Sequence, residues 1–263
     1  MTEQRLHNLT GRRGRIRYVA LWFALVGFVS APGGAQAAQL FVAVATNFSE
    51  PAKELGAQFE RETGHTVRLS FGSTGQLYAQ IRQGAPFEVY LAADQARPRQ
   101  AIADGLAVAG SQFTYATGRL VLFSREADRV AGASSLRAGG FHRLAIANPQ
   151  TAPYGAAAVA TLHALGVYDA VAPRIVQGAN IAQAFQFVAT GNAELGFVAL
   201  SQVIQRTDGS RWIVPDSLHP PIAQDAVLLS RGATNPAAGR FLDFLRSAAA
   251  DGIKARYGYD RGD

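Results

Sequence analysis

Four short turns hold the residues best suited to chemistry: Thr46-Asn47, Ser73-Thr74, Pro153-Tyr154-Gly155 and Asn180-Ile181. Each follows an apolar run that reads as a strand and precedes a run with helical spacing. Their groups are hydroxyls, amides and helix-start N–H groups, and none of the turns contains Lys or Arg. A helix start presents N–H groups without intrahelical acceptors and a partial positive charge, so it suits an oxyanion. Ser73 with Gln76, and Asn180 with Gln183, have the spacing of helix caps. Taken singly, each residue therefore has a plainer role. Ser73 and Asn180 cap helices, Thr46 ends a strand and Tyr154 packs. Four repeats of one design point instead to a shared ligand. A site made of donors also selects among anions. A protonated anion would find no acceptor for its own proton, at a cost of roughly 1–3 kcal/mol. A fully deprotonated tetrahedral anion avoids that cost. Glu50 and Asp94 are the acidic residues close to these turns in sequence, and Asp94 reads first as a helix cap.

Other chemistry finds less support. Gly72-Ser73-Thr74-Gly75 lacks the spacing of a nucleophile elbow, and no Gly-rich loop ends in Lys-Ser or Lys-Thr. His65, His142, His163 and His219 stand apart, with no H-E-x-x-H. No carboxylate pair stands out for acid–base work. The chain has no cysteine, which removes disulfides, thiolate metal sites and thiol nucleophiles. An exported α/β hydrolase using Ser73 is the reading from another class, and it lacks a visible base.

The elements that position these turns alternate in type. Leu40–Ala45 reads as a buried strand, followed by a helix from about Pro51 to Thr63 that Gly64 ends. A strand over 66–71 leads into the helix opened by Ser73, with Gly72 and Gly75 allowing close backbone approach. Phe87–Asp94 reads as a third strand, and the β-α-β-α-β order predicts a parallel, right-handed layer. Phe113–Ala116 and Leu120–Ser124 read as a long extended crossing. A second unit then repeats the pattern with strands at 144–149, 174–177 and 194–200 and helices at 156–165 and 182–190. Trp212–Pro215 and Pro220-Pro221 mark extended chain. Ala226–Ser230 is a last strand, and Phe241–Leu245 belongs to a closing helix. In open α/β sheets ligands bind at the carboxyl ends of strands, where all four turns lie.

The 263 residues suffice for one large or two ordinary domains, and 48% hydrophobic with 17% charged residues is a globular composition. Residues 1–37 carry five Arg and one Glu, which is +4 of the formal +6. The nearly neutral remainder, without a basic stripe, gives no reason to expect nucleic acid. Arg12–Arg17, the apolar run Val19–Val29 and Ala35-Gln36-Ala37 form the three regions of a signal peptide over 1–37. Arg12-Arg13 also resembles a twin-arginine signal with poor flanks. Export to the periplasm is expected.

Thr46-Asn47-Phe48, Ser73-Thr74-Gly75, Gly84-Ala85-Pro86, Leu91-Ala92-Ala93-Asp94, Asn148-Pro149, Ala152-Pro153-Tyr154-Gly155 and Gly196–Leu200 together resemble the periplasmic molybdate-binding proteins of ABC importers. The likeness spans about residues 39–259. It implies a two-lobed, type II periplasmic-binding-protein fold of the α/β class with two hinge crossings. Lobe I would comprise 38–117 and 226–263, and lobe II 118–225. The resemblance further implies an anion held between the lobes by Thr46, Asn47, Ser73, Thr74, Tyr154 and Ile181, the last through its backbone N–H. Ala199 stands where other members place a ligand tyrosine, so Tyr154 takes that role. The implied ligand is molybdate or tungstate, with no resident cofactor and no metal-ion ligands from the protein. The implied partner is a membrane permease, and the protein is expected to be a monomer. Sulfate or another oxyanion is the alternative within the class.

Overall fold

The computed structural model describes residues 37–262. The expected signal peptide and its cleavage site fall almost wholly on residues 1–36, outside the described residues. The strands are β1 (Gln39–Ala45), β2 (Thr66–Gly72), β3 (Val89–Leu91), β4 (Phe113–Gly118), β5 (Leu120–Ser124), β6 (Leu144–Ala147), β7 (Ile175–Gly178), β8 (Leu195–Ala199), β9 (Ser210–Ile213), β10 (Ile222–Leu228) and β11 (Asp260–Arg261). The helices are α1 (Ser49–Thr63), α2 (Thr74–Arg82), α3 (Ala96–Ala103), α4 (Ser134–Arg137), α5 (Pro153–Ala164), α6 (Tyr168–Val171), α7 (Ile181–Ala189), α8 (Leu200–Val203), α9 (Pro236–Leu245) and α10 (Ala248–Arg256).

These strands form two sheets. One has the order β11-β4-β10-β3-β1-β2, the other β7-β6-β8-β5-β9. The apolar run of β1 is buried on both faces, as a central parallel strand requires. Both sheets are mixed rather than parallel throughout. β1 pairs in parallel with β2 and β3, but β10 is antiparallel to β3 and β4, and β5 is antiparallel to β8 and β9. The chain changes sheet at Arg119, the single residue between β4 and β5, and returns between Ile213 and Ile222.

One buried cluster lies under α1, α9 and α10 and includes Phe48, Leu55, Phe59, Phe241 and Leu245. Leu77, Ile81 and Tyr90 lead a second cluster under α2 and α3. In the other sheet, Leu122, Ile146, Leu162 and Phe197 pack under α5, and Phe123, Val188 and Val198 under α7. The cluster under α5 also takes in Ala45 and Ala93, from strand ends of the first sheet, so apolar packing crosses the cleft.

Several element bounds differ from the expected ones. β3 is only three residues long because the chain bends after Ala92, and Ala93 N–H goes to the Thr74 hydroxyl instead of a neighbouring strand. β6 stops at Ala147, where the Asn148 carbonyl turns to accept from Thr151 and Ala152 N–H. α1 begins at Ser49, and α5 and α7 begin at Pro153 and Ile181, so each expected helix start moves towards the preceding strand. Beyond α9 the structure adds α10 and β11, which the sequence pattern did not reveal. α10 buries only Ala250, Ile253 and Lys254, too few for a clear periodic signal.

Candidate functional site

Strand register brings the four turns together. Ala45 of β1 pairs with Gly72 of β2, so Thr46 and Ser73 leave neighbouring strands at one level. Ala147 of β6 pairs with Gly178 of β7, so the chain towards Tyr154 and towards Ile181 also departs side by side. Thr46, Asn47, Ser73, Thr74, Tyr154 and Ile181 all line one cavity, with Ala45, Ala93, Ala152 and Pro153. Its cavity volume is about 10 Å³. Pockets for organic ligands usually run to about 300–1,000 Å³, so this one is far too small for them and matches a single water-sized group.

The lining is built for donation. Thr46 is 8% exposed, and its Oγ1 is buried with no hydrogen-bond partner. The Ser73 hydroxyl accepts from Gln76 N–H at 3.4 Å, completing a capping box for α2. That bond uses a lone pair and leaves the hydroxyl proton free to donate. The Thr74 hydroxyl likewise accepts from Ala93 N–H at 2.9 Å and keeps its proton. Capping and ligand binding are thus compatible at Ser73. Thr74, Tyr154 and Ile181 occupy the first turns of α2, α5 and α7, where N–H groups lack intrahelical acceptors. Among the described residues, no charged side chain lines the cavity.

A buried polar floor lies behind it. Gln224 Oε1 accepts from Asn47 Nδ2 at 2.7 Å and from the Tyr115 hydroxyl at 3.1 Å. Gln224 Nε2 donates to the Tyr154 hydroxyl at 3.4 Å. The Tyr259 hydroxyl donates to the Asn47 carbonyl at 2.7 Å and accepts from Asn47 Nδ2 at 3.0 Å. Burial raises the Tyr115 and Tyr154 hydroxyls well above the usual tyrosine range, and pushes Tyr259 up to about 12. All three hydroxyls stay protonated donors at neutral pH. The same shifts predict the alkaline response. Below about pH 10 folded and unfolded tyrosines are both neutral, so their contribution is fully present. Above it the unfolded chain ionises first, and each such tyrosine should lower stability by about 1.4 kcal/mol per pH unit until its folded pKa is reached. Urea melts across about pH 8 to 11.5 should show a plateau followed by a fall that begins near the unfolded tyrosine pKa.

Contacts between the two sheets close the site. Gly75 N–H donates to the Thr151 carbonyl at 2.8 Å. The Ser201 hydroxyl, from α8, donates to the Asn47 carbonyl at 2.7 Å.

The structure also corrects parts of the sequence reading. Both amide hydrogens of Asn47 are engaged by Gln224 and Tyr259, so its side chain braces the floor behind the cavity. Asn180 caps Gln183 N–H at 3.0 Å and does not line the cavity. Asp94 lines a wider, adjoining groove that shares Ala93, Ala152 and Pro153 with the cavity, and it accepts from Arg97 N–H at 2.8 Å, the capping role. Glu50 is exposed and paired with Lys53. Ala199 is absent from the lining, where Tyr154 is present. Sequence reasoning missed Tyr115, Gly118, Ser201, Gln224 and Tyr259. A Gln-Asp pair inside the otherwise apolar β10 and the glycine that ends β4 were the available signals. Ser201 and Tyr259 carry no comparable mark.

Comparison with known proteins agrees with this architecture. Residues 40–260 match the family described as bacterial extracellular solute-binding protein. The chain is 51% identical over 244 residues to the molybdate-binding protein ModA of Rhodobacter capsulatus, covering 93% of this chain and 96% of that protein. It is 54% identical over 229 residues to ModA of Azotobacter vinelandii, covering 86% of this chain and 91% of that protein. The solved structure of the Azotobacter vinelandii periplasmic molybdate-binding protein superposes with a TM-score of 0.82 at 40% identity, covering 84% of this chain and 98% of that one. The chain belongs to the family of bacterial extracellular solute-binding proteins.

Proposed function

We propose that this protein captures molybdate, and tungstate with it, between its two lobes and delivers it to the membrane permease of an ABC importer. The observation that carries the proposal is a cavity lined by donors from both sheets, with the buried Thr46 hydroxyl left without a partner. A bare tetrahedral dianion supplies the acceptors that such a cavity lacks. Neutral dipoles at several helix starts would balance its charge without a counter-ion. Lobe I would be 38–117 with 226–263 and lobe II 118–225, closing on the ion, with Thr46, Asn47, Ser73, Thr74, Tyr154 and Ile181 as its ligands. The protein would work as a monomer in the periplasm after loss of its N-terminal signal peptide, without a cofactor. It would break no bond. The Ser73 hydroxyl meets a backbone N–H, and among the described residues no histidine or carboxylate lines the cavity to act as its base.

Calorimetric titration with molybdate, tungstate, sulfate, phosphate and chromate tests the proposal. Molybdate and tungstate should bind tightest, and sulfate binding as tightly as molybdate would defeat it. At a hundredfold excess over Kd the bound ion should add about 2.7 kcal/mol and raise Tm by about 5–10 °C. Thr46→Val keeps the shape and removes one donor. A hydrogen bond to a charged group contributes about 1.5–3 kcal/mol, so Kd should weaken roughly 10- to 100-fold. The ligand-free protein should melt at the same temperature or slightly higher, because the substitution removes an unsatisfied buried hydroxyl.

A further inference from the structure

We propose that Ser201 is a latch between the two sheets: its bond to the Asn47 carbonyl forms on closure and sets how slowly the captured anion leaves. The proposal rests on the molybdate-capture reading and adds a positioning residue that does not itself line the cavity.

Three consecutive residues at the start of α8 bind three different parts of the molecule. Leu200 N–H donates to the carbonyl of Arg119, the residue where the chain changes sheet, at 3.0 Å. The Ser201 hydroxyl donates to the Asn47 carbonyl at 2.7 Å. Gln202 accepts from Ala199 N–H through Oε1 at 2.9 Å, which turns its Nε2 to the Ile181 carbonyl at 3.2 Å. Asn47 and Ile181 both line the cavity, one after β1 of the first sheet and the other opening α7 beside the second. One short helix therefore holds a cavity-lining turn from each side and is tied to the crossing between them.

The chain before β11 completes this contact. The Tyr259 hydroxyl lies 2.7 Å from the Asn47 carbonyl and 3.1 Å from Ser201 Oγ. A carbonyl oxygen has two lone pairs, so Asn47 can accept from Tyr259 and Ser201 together. Tyr259 belongs to the same sheet as Asn47, whereas Ser201 reaches it from α8, after β8 of the other sheet. The first bond thus needs one sheet alone, and the second needs both. Ser201, Asn47 and Tyr259 are all buried. Gly258 lets the backbone come this close. Its φ is +76°, and a Cβ there would lie 2.7 Å from Leu200 Cδ2 and 2.9 Å from Ile204 Cδ1.

A bond made only when the sheets meet cannot help the anion arrive. It stabilises the closed, loaded state and must break before the anion departs. Its effect belongs in the dissociation rate, where most affinity differences among variants of one site appear.

The test combines calorimetric Kd for molybdate with dissociation of labelled molybdate chased by excess unlabelled molybdate, on the full exported protein. Wild-type protein that binds no molybdate would overturn the capture reading and this proposal with it. Given binding, Ser201→Ala should speed dissociation about fivefold, the effect of one hydrogen bond, and weaken Kd by the same factor. The association rate, obtained from the two, should stay within about twofold of wild type. The ligand-free variant should melt within about 2 °C of wild type, because the open form lacks the bond. A lower melting temperature with an unchanged dissociation rate would make Ser201 a packing residue and overturn the proposal. So would a loss confined to association. On a Tyr259→Phe background Ser201 is the remaining side-chain donor to the Asn47 carbonyl, and its removal should speed dissociation further, by about tenfold or more. Equal losses on the two backgrounds would show that Ser201 does not act through the shared carbonyl and would also overturn the proposal. If Tyr259→Phe does not fold, Ser201→Ala decides alone.

Discussion

Gly118→Ala is expected to weaken molybdate binding by at least about a hundredfold, or about 2.7 kcal/mol. One methyl group is enough because of where it would go. It would sit 2.0 Å from Tyr154 Oη and 2.5 Å from Gln224 Nε2, far inside contact distance. Tyr154 is 1% exposed, its ring is packed in the core under α5, and the first turn of that helix holds its backbone. The ring cannot swing clear without leaving its pocket. Either the two sheets separate or Tyr154 shifts together with the helix start that lines the cavity, and both disturb the donor set. Overpacking elsewhere in a core costs about 1–3 kcal/mol, so part of the effect should appear as a lower Tm of the ligand-free protein. Calorimetry together with thermal melts separates the two parts. Wild-type affinity in Gly118→Ala would mean that Tyr154 does not hold this position in the bound state.

Gly75→Val is expected to separate closure from folding. A Cβ at Gly75 would lie 3.1 Å from Thr151 Cα and 3.3 Å from the Thr151 carbonyl, both backbone atoms of the turn before α5. The two branches of valine would add to that crowding. They would also break the 2.8 Å bond from Gly75 N–H to the Thr151 carbonyl. Within its own lobe the substitution is mild. Gly75 stands in the first turn of α2, where a glycine is itself unfavourable by roughly 0.5–1 kcal/mol against alanine. The ligand-free variant should therefore melt within about 2 °C of wild type. Molybdate affinity should fall about a hundredfold, since a ligand that bridges two lobes gains little when they cannot meet. Small-angle scattering should show the variant more open in the presence of molybdate. A compact bound form with wild-type Kd would rule out this closing contact.

Both predictions concern contacts across the cleft, and these divide what was legible in sequence from what was not. The alternating strands and helices, the polar turns at strand ends and the donor-only chemistry could be read along the chain. They depend on local rules: strand burial, helix capping and the orphan N–H groups of a helix start. Ser73 with Gln76 is the clearest case, since the expected box is present and still leaves a proton for the cavity. Helix bounds drifted by one to three residues because capping geometry, rather than hydrophobic spacing, decides where a helix begins.

What the amino-acid sequence determined by itself was thus the kind of site: uncharged donors at several helix starts, in an α/β chain whose motifs carry the family likeness. Only the tertiary structure decided how that site is held. Asn47 reads as an amide ligand in sequence, yet Gln224 and Tyr259, 177 and 212 residues away along the chain, engage both its amide hydrogens. Ser201 and Tyr259 join the site for the same reason. Local patterns arise from neighbours a few residues apart. Contacts across the hinge join residues more than a hundred positions apart in the chain, and sequence spacing leaves no trace of them.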